Sequence, residues 1–189
     1  MLIPLLLQHP QALVPVLKNT PVWVWGLLAT LLALGLSQLH TRSVSALRMT
    51  LMPVAMTGLS LWGTVSAFGG SPLFGFVVLA WLASAAATLC LIAPQSPPAG
   101  TRYDAASRSF TVPGSWLPLA LIVGIFLTRY TVGVDLAMQP QLARDGQYTL
   151  LIGALYGLFS GAFAGRSARL WRLALKPATP ASSSPLLKT

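Results

Sequence analysis

Arg129 carries the clearest chemical consequence of any residue in this sequence. It stands near the middle of an apolar run from Trp116 to Met138, with Asp135 six residues further on. A charge at the centre of a bilayer costs at least about 2.5 kcal/mol on insertion scales, so such a side chain is expected to face protein, water or a partner. Six residues are about 240° of helical turn, so Arg129 and Asp135 do not share a face of one regular helix. Tyr130 and Thr131 lie beside Arg129, and Tyr156 in a later apolar run is a partner from elsewhere in the chain. Arg129, Asp135, Tyr130 and Tyr156 therefore make up the candidate polar site, suited to an anion or a polar solute. The plain alternative is that Arg129 orients or packs the bundle.

Other chemistry finds little material. Cys90 is the single cysteine, so no disulfide or C-x-x-C motif exists, and a lone thiol in an apolar run reads as a small core filler. Met49, Met52 and Met56 fall on one helical face; thioethers hold Cu(I), but methionine is also an ordinary gap filler. His9 and His40 fall on opposite sides of the topology derived below, which argues against one metal or haem site between them. The only acids are Asp104, Asp135 and Asp145, and there is no Glu. An acid–base inventory this poor supports no catalytic constellation. The expectation is a protein that is not an enzyme and has neither metal nor cofactor.

The elements that position these residues are apolar. Hydrophobic residues make up 54% of the 189 residues and charged ones 8%, with a mean hydropathy of +0.71. A soluble domain carries about 25% charged residues. A hydrocarbon core of about 30 Å needs about 20 apolar residues in a helix. Residues 21–39, 49–68, 72–93, 116–138 and 148–165 approach or meet that length. The expected fold class is all-α: a polytopic transmembrane helix bundle of five spans, with a short N-terminal interfacial segment and a small cytoplasmic hairpin-like loop. Residues 1–176 form a single integral membrane domain on this reading.

Charge sets the orientation. Nine of the twelve basic residues fall in the connections on one side, two (Lys18 and Arg144) on the other, and Arg129 inside a span. Lys and Arg are retained on the cytoplasmic side during insertion, so the N-terminus is expected outside and the C-terminus in the cytoplasm. The net charge of +9 is spread over span ends rather than one soluble face, which excludes nucleic acid as a partner. Arg42, Arg48, Arg166, Arg169, Arg172 and Lys176 are instead topology anchors that touch the lipid bilayer and its anionic headgroups. Trp171 joins them, since tryptophan rings gather at the headgroup level. Trp23, Trp25 and Trp116 read the same way.

The connections differ in character. Residues 1–17 are apolar but interrupted by Pro4, Pro10 and Pro15, which break interior helical turns; a piece lying in the outer interface is expected. Between spans three and four, residues 101–105 and 109–112 read as two short strands around a turn. Tyr103 and Phe110 would pair across that hairpin. Arg166 to Lys176 continues span five as a basic helix, with its four cations inside a sector of about 120°. The tail 177–189 is rich in Pro and Ser and is expected to be disordered.

Span five carries Gly153, Gly157, Gly161 and Gly165 at four-residue intervals. Such a stripe lets another backbone approach and gain dispersion contacts, which is how helices adhere in lipid. The preferred partner is span three, through Ala80, Ala83, Ser84 and Ala87; a homodimer or another membrane protein is the alternative.

Tyr103-Asp104, the run Phe110 to Leu119, Tyr156 to Gly161 and Arg169 to Ala174 resemble a family of small bacterial inner-membrane proteins of unknown function. The resemblance covers nearly the whole chain and implies location and topology without an activity. Two functions are carried forward. One is a component for transport or permeation of a small solute or anion, with Arg129 in a polar pocket. The other is a structural or assembly partner of another membrane protein through the glycine stripe.

Overall fold

The computed structural model describes Lys18 and residues 20–175, apart from the side chain of Met52. The interfacial segment expected over 1–17, Lys176 and the tail 177–189 lie outside the described residues. Five helices carry the fold: α1 Val22–Leu36, α2 Ala46–Phe68, α3 Phe74–Ile92, α4 Leu117–Met138 and α5 Gly146–Leu175. All five, α1 taken on through a 3-10 turn at Ser37–Leu39, are long and apolar enough to cross a membrane. Their outward faces are oily, with Val22, Trp62, Leu79 and Leu151 among the exposed side chains.

The ends of these helices follow from local chemistry. Pro21 sits in extended backbone before α1, where its fixed φ costs nothing and its missing N–H would be unpaired anyway. Ser45 caps α2 by accepting the Arg48 N–H at 3.4 Å. Asp145 caps α5, its Oδ1 accepting the Tyr148 N–H at 2.7 Å. Pro118 occupies the first turn of α4. Pro53 lies inside α2, in its third turn, and leaves one carbonyl of the first turn without its helical donor.

The small sheet differs from expectation. β2 Arg102–Asp104 and β3 Ser109–Val112 form the hairpin read from the sequence. Tyr103 and Phe110 are register partners, their ring centroids 4.8 Å apart. A third strand, β1 Arg42–Ser45, was not expected and pairs antiparallel with β3, giving the order β1-β3-β2. The correction has a physical reason. An isolated hairpin is marginal in water, and β1 satisfies the free edge of β3 while tying the α1–α2 connection to the α3–α4 connection. The turn between β2 and β3 closes on Asp104, which accepts the Ala106 N–H at 3.0 Å and the Ser107 hydroxyl at 2.6 Å. Arg108 there has φ +47, and its carbonyl accepts the Ala46 N–H at 2.9 Å, so the turn also holds the start of α2.

Helix α5 organises the bundle. It packs along α3 and against α2, while α4 runs close to α1 and meets α5 through side chains, Val132 sharing a core with Tyr148 and Ile152. With 30 residues it is about 45 Å long, more than the hydrocarbon needs, and its last turns cover the sheet. Leu170 is buried against Phe110 and Val112, and Trp171 meets Phe110 edge-on at 5.8 Å. Trp171, expected among the headgroup anchors, thus packs over the sheet. A second core gathers at the opposite end of the bundle around Phe68, Val77, Val132, Tyr148 and Ile152.

Candidate functional site

The four residues of the sequence-derived polar site fall in three places. The Arg129 guanidinium stands over the Tyr156 ring at 6.0 Å from its centroid, a cation–π distance. Its other face lies on the backbone of Gly63 in α2, so close that any side chain at 63 would overlap it. Tyr130 points elsewhere, sharing a hydrogen bond with Thr20 and stacking on Phe126. Asp135 is buried and accepts a hydrogen bond from the Tyr148 hydroxyl at 3.2 Å. Arg129 and Tyr156, with Met56, Ser60, Ile125 and Phe163, line a cavity of about 30 Å³. That is space for a water or two and for nothing larger without rearrangement.

The glycine stripe is covered from within the chain. A Cβ on Gly157 or Gly161 would run into the backbone carbonyls of Trp81 and Ala85. On Gly153 it would come within 2.8 Å of the Val77 carbonyl, and on Gly165 within 2.9 Å of Ile92 Cβ. The α3 face that meets these glycines includes Val77, Trp81, Ser84, Ala85 and Thr88. Of the residues expected there Ser84 takes part, while Ala83 and Ala87 are exposed. The face is set by hydrogen bonds: Ser84 donates to the Ala154 carbonyl at 2.7 Å. Trp81 Nε1 donates to Ser60 Oγ at 3.0 Å, and Ser60 donates in turn to the Tyr156 carbonyl at 3.2 Å. Three helices are joined by that relay.

The basic anchors divide into two groups. Arg172 donates to the Ala93 carbonyl at 2.9 Å and Arg169 to Gln95 Oε1 at 3.3 Å, so both fasten α5 to the C-terminal end of α3, where cations suit the helix dipole. Arg42, Arg48 and Arg166 converge instead on a cavity of about 340 Å³ between the sheet and the bundle. This volume is at the lower end of the range of ligand pockets, about 300–1,000 Å³. The wall is completed by the last turn of α1, the start of α2, Pro118 of α4, and Phe163 and Ser167 of α5. Ser167 fixes α5 to α2 by donating to the Met49 carbonyl at 3.1 Å. The Ser115 N–H fixes the exit of β3 to the end of α1 through the Gln38 carbonyl, at 3.1 Å.

The electrostatics of this cavity are one-sided. Arg42 donates to Gln38 Oε1 at 3.0 Å, and its guanidinium is held below its ordinary pKa, first by burial and then by the like charge of Arg48. Among the described residues, Arg166 Nη1 is buried and has no hydrogen-bond partner. No carboxylate lines the wall. Asp104, the acid of the sheet, is committed to its own turn, where the Ser107 hydroxyl and then the Ala106 N–H hold its carboxyl below the usual range. Sequence reasoning treated Arg42, Arg48 and Arg166 only as anchors. The signal that unites them is β1, whose pairing brings the α1–α2 connection under the end of α5.

Among the described residues, fold and site together define a bundle of five helices with candidate membrane spans and an arginine-lined cavity at the sheet end. Across residues 1–182 it matches the family of unknown function DUF6622, and the chain belongs to that family. No curated protein and no solved structure matches it.

Proposed function

We propose that this is an integral protein of the bacterial inner membrane that crosses five times and binds an anion at its cytoplasmic end. The N-terminus lies outside, and the sheet and C-terminus lie in the cytoplasm. The excess of Lys and Arg in the connections at the sheet end supports that orientation. One observation carries the anion reading: Arg42, Arg48 and Arg166 surround a single cavity whose wall offers no counter-charge among the described residues. Arg42 and Arg166 are half-buried and Arg48 is exposed; like charges gathered and partly withdrawn from water are costly, and an anion would offset that cost.

A second reading, permeation of a small solute or anion past Arg129, is favoured by one feature. Phe163 lines both cavities, so they lie in the same seam between α2, α4 and α5. Assembly with another membrane protein through the glycine stripe would first require α3 to be displaced. The test is thermal unfolding of the purified full chain in zwitterionic nanodiscs, titrated with inorganic phosphate, glycerol 3-phosphate and anionic lipids. At least one of these should raise the unfolding temperature of the wild type and not of the Arg42→Gln/Arg166→Gln double variant. Equal shifts in both proteins, or none in either, would refute the reading.

A further inference from the structure

The arginine cavity has two unlike halves. One half holds Arg42, Arg48 and Arg166; the other is built from Leu34, Pro53 and Phe163. Leu34 belongs to the last turn of α1, Pro53 to the third turn of α2 and Phe163 to the middle of α5, so the apolar half lies among the spans and the cationic half at their edge. Neither half is satisfied by a simple occupant. A small hydrophilic anion would leave the oily half unfilled, and a neutral apolar molecule would leave the three arginines of the wall without a counter-charge.

The seam gives a chain somewhere to go. The backbones of α4 and α5 stay apart, α4 lying close to α1 and α5 to α2 and α3, and side chains such as Phe159, beside Gly124, fill the space between them. At that boundary the cavity is lined by Pro118 of α4 and Phe163 of α5. The head position is equally particular. Three guanidinium groups present forked donors suited to tetrahedral oxyanions, and a phosphomonoester offers three acceptor oxygens and a charge of about −1.5 to −2 at neutral pH.

We infer that this cavity is the binding site of a single-chain phosphomonoester lipid, its phosphate held by Arg42, Arg48 and Arg166 and its acyl chain laid along Leu34, Pro53 and Phe163. The inference rests on the anion reading above and names the ligand class.

The experiment uses the purified full chain in phosphatidylcholine nanodiscs and three probes. Lysophosphatidic acid has the phosphate and the chain, glycerol 3-phosphate the phosphate alone, and lysophosphatidylcholine the chain without net charge. Lysophosphatidic acid should bind at least about tenfold more tightly than either of the others, because each lacks one set of contacts. Arg166→Met and Arg42→Gln should each weaken it about tenfold or more. Arg166→Met should in addition raise the unfolding temperature of the ligand-free chain, since it removes an unpaired charge and keeps the apolar stem.

Glycerol 3-phosphate binding as tightly as lysophosphatidic acid would overturn the lipid while leaving the anion site standing. Equal binding of both lysolipids would overturn the phosphomonoester, since lysophosphatidylcholine carries its phosphate as a diester masked by choline. Failure of both glycerol 3-phosphate and lysophosphatidic acid would sink the anion reading itself. A lower unfolding temperature for ligand-free Arg166→Met would make that arginine a structural strut and overturn the site.

Discussion

Replacing Gly157 by alanine should loosen the bundle at its tightest seam. The added methyl would collide with the Trp81 carbonyl and with Ser84 Oγ. The hydroxyl could rotate, but only by giving up its 2.7 Å bond to the Ala154 carbonyl. The carbonyl belongs to the α3 backbone and cannot move without the helix. Overpacking of this kind costs about 1–3 kcal/mol, and alanine returns about 1 kcal/mol of helix preference over glycine. A net loss of up to about 2 kcal/mol is therefore expected. The control is Gly58→Ala in α2, where an added methyl meets nothing within 4 Å and only the helix preference acts. The two variants should thus shift stability in opposite directions. Denaturation of the purified protein in mixed micelles, followed by tryptophan fluorescence, reads both. A Gly157→Ala protein as stable as wild type would refute backbone-close packing of α5 on α3.

Three further outcomes follow from the same geometry. Phe110 is fully buried between Tyr103, Trp171 and Leu170, so Phe110→Ala should cost about 3–5 kcal/mol. Hydrogen exchange should rise across 101–112 and the last turns of α5 while α3 stays protected. Gly63→Ala should destabilise the wild type by displacing the Arg129 guanidinium but have little effect in an Arg129→Leu background. A double-mutant cycle should read a coupling of about 0.5–3 kcal/mol, and additivity would show that the two do not touch. Asp104 is exposed and its carboxyl lies below the usual range, so its bonds hold the turn above about pH 4 and are lost as pH falls through the depressed folded value. Exchange at Ala106 and Ser107 should accelerate only in that acid window, and in Asp104→Asn the acid step should vanish.

Much of the architecture was legible because length and hydropathy are local properties. The five helices fall close to the apolar runs, and the hairpin was readable from the alternation around Tyr103 and Phe110. Strand β1 was not, because Arg42-Ser43-Val44-Ser45 has one apolar residue and owes its conformation to β3, far along the chain. The cavity went unseen for the same reason: Arg42, Arg48 and Arg166 meet only once β1 is paired and α5 runs past the span. The candidate polar site was drawn from neighbours in sequence, and helical geometry sends those neighbours apart. Tyr130 turns to Thr20 while Arg129 turns to Tyr156. The glycine stripe fixed which helix would be approached only through its small size; hydrogen bonds from Ser84 and Trp81 decide the face.

Sidedness of the two ends of the bundle tests the central claim most directly. Single cysteines would be placed at Ser107 in the turn of the sheet and at Gln139 in the connection from α4 to α5, in a Cys90→Ala background. Intact spheroplasts would then be treated with a membrane-impermeant maleimide. The account predicts labelling at position 139 from outside and at position 107 only after the membrane is opened. Labelling of position 107 in intact cells would put the arginine cavity on the wrong face of the membrane and contradict the account.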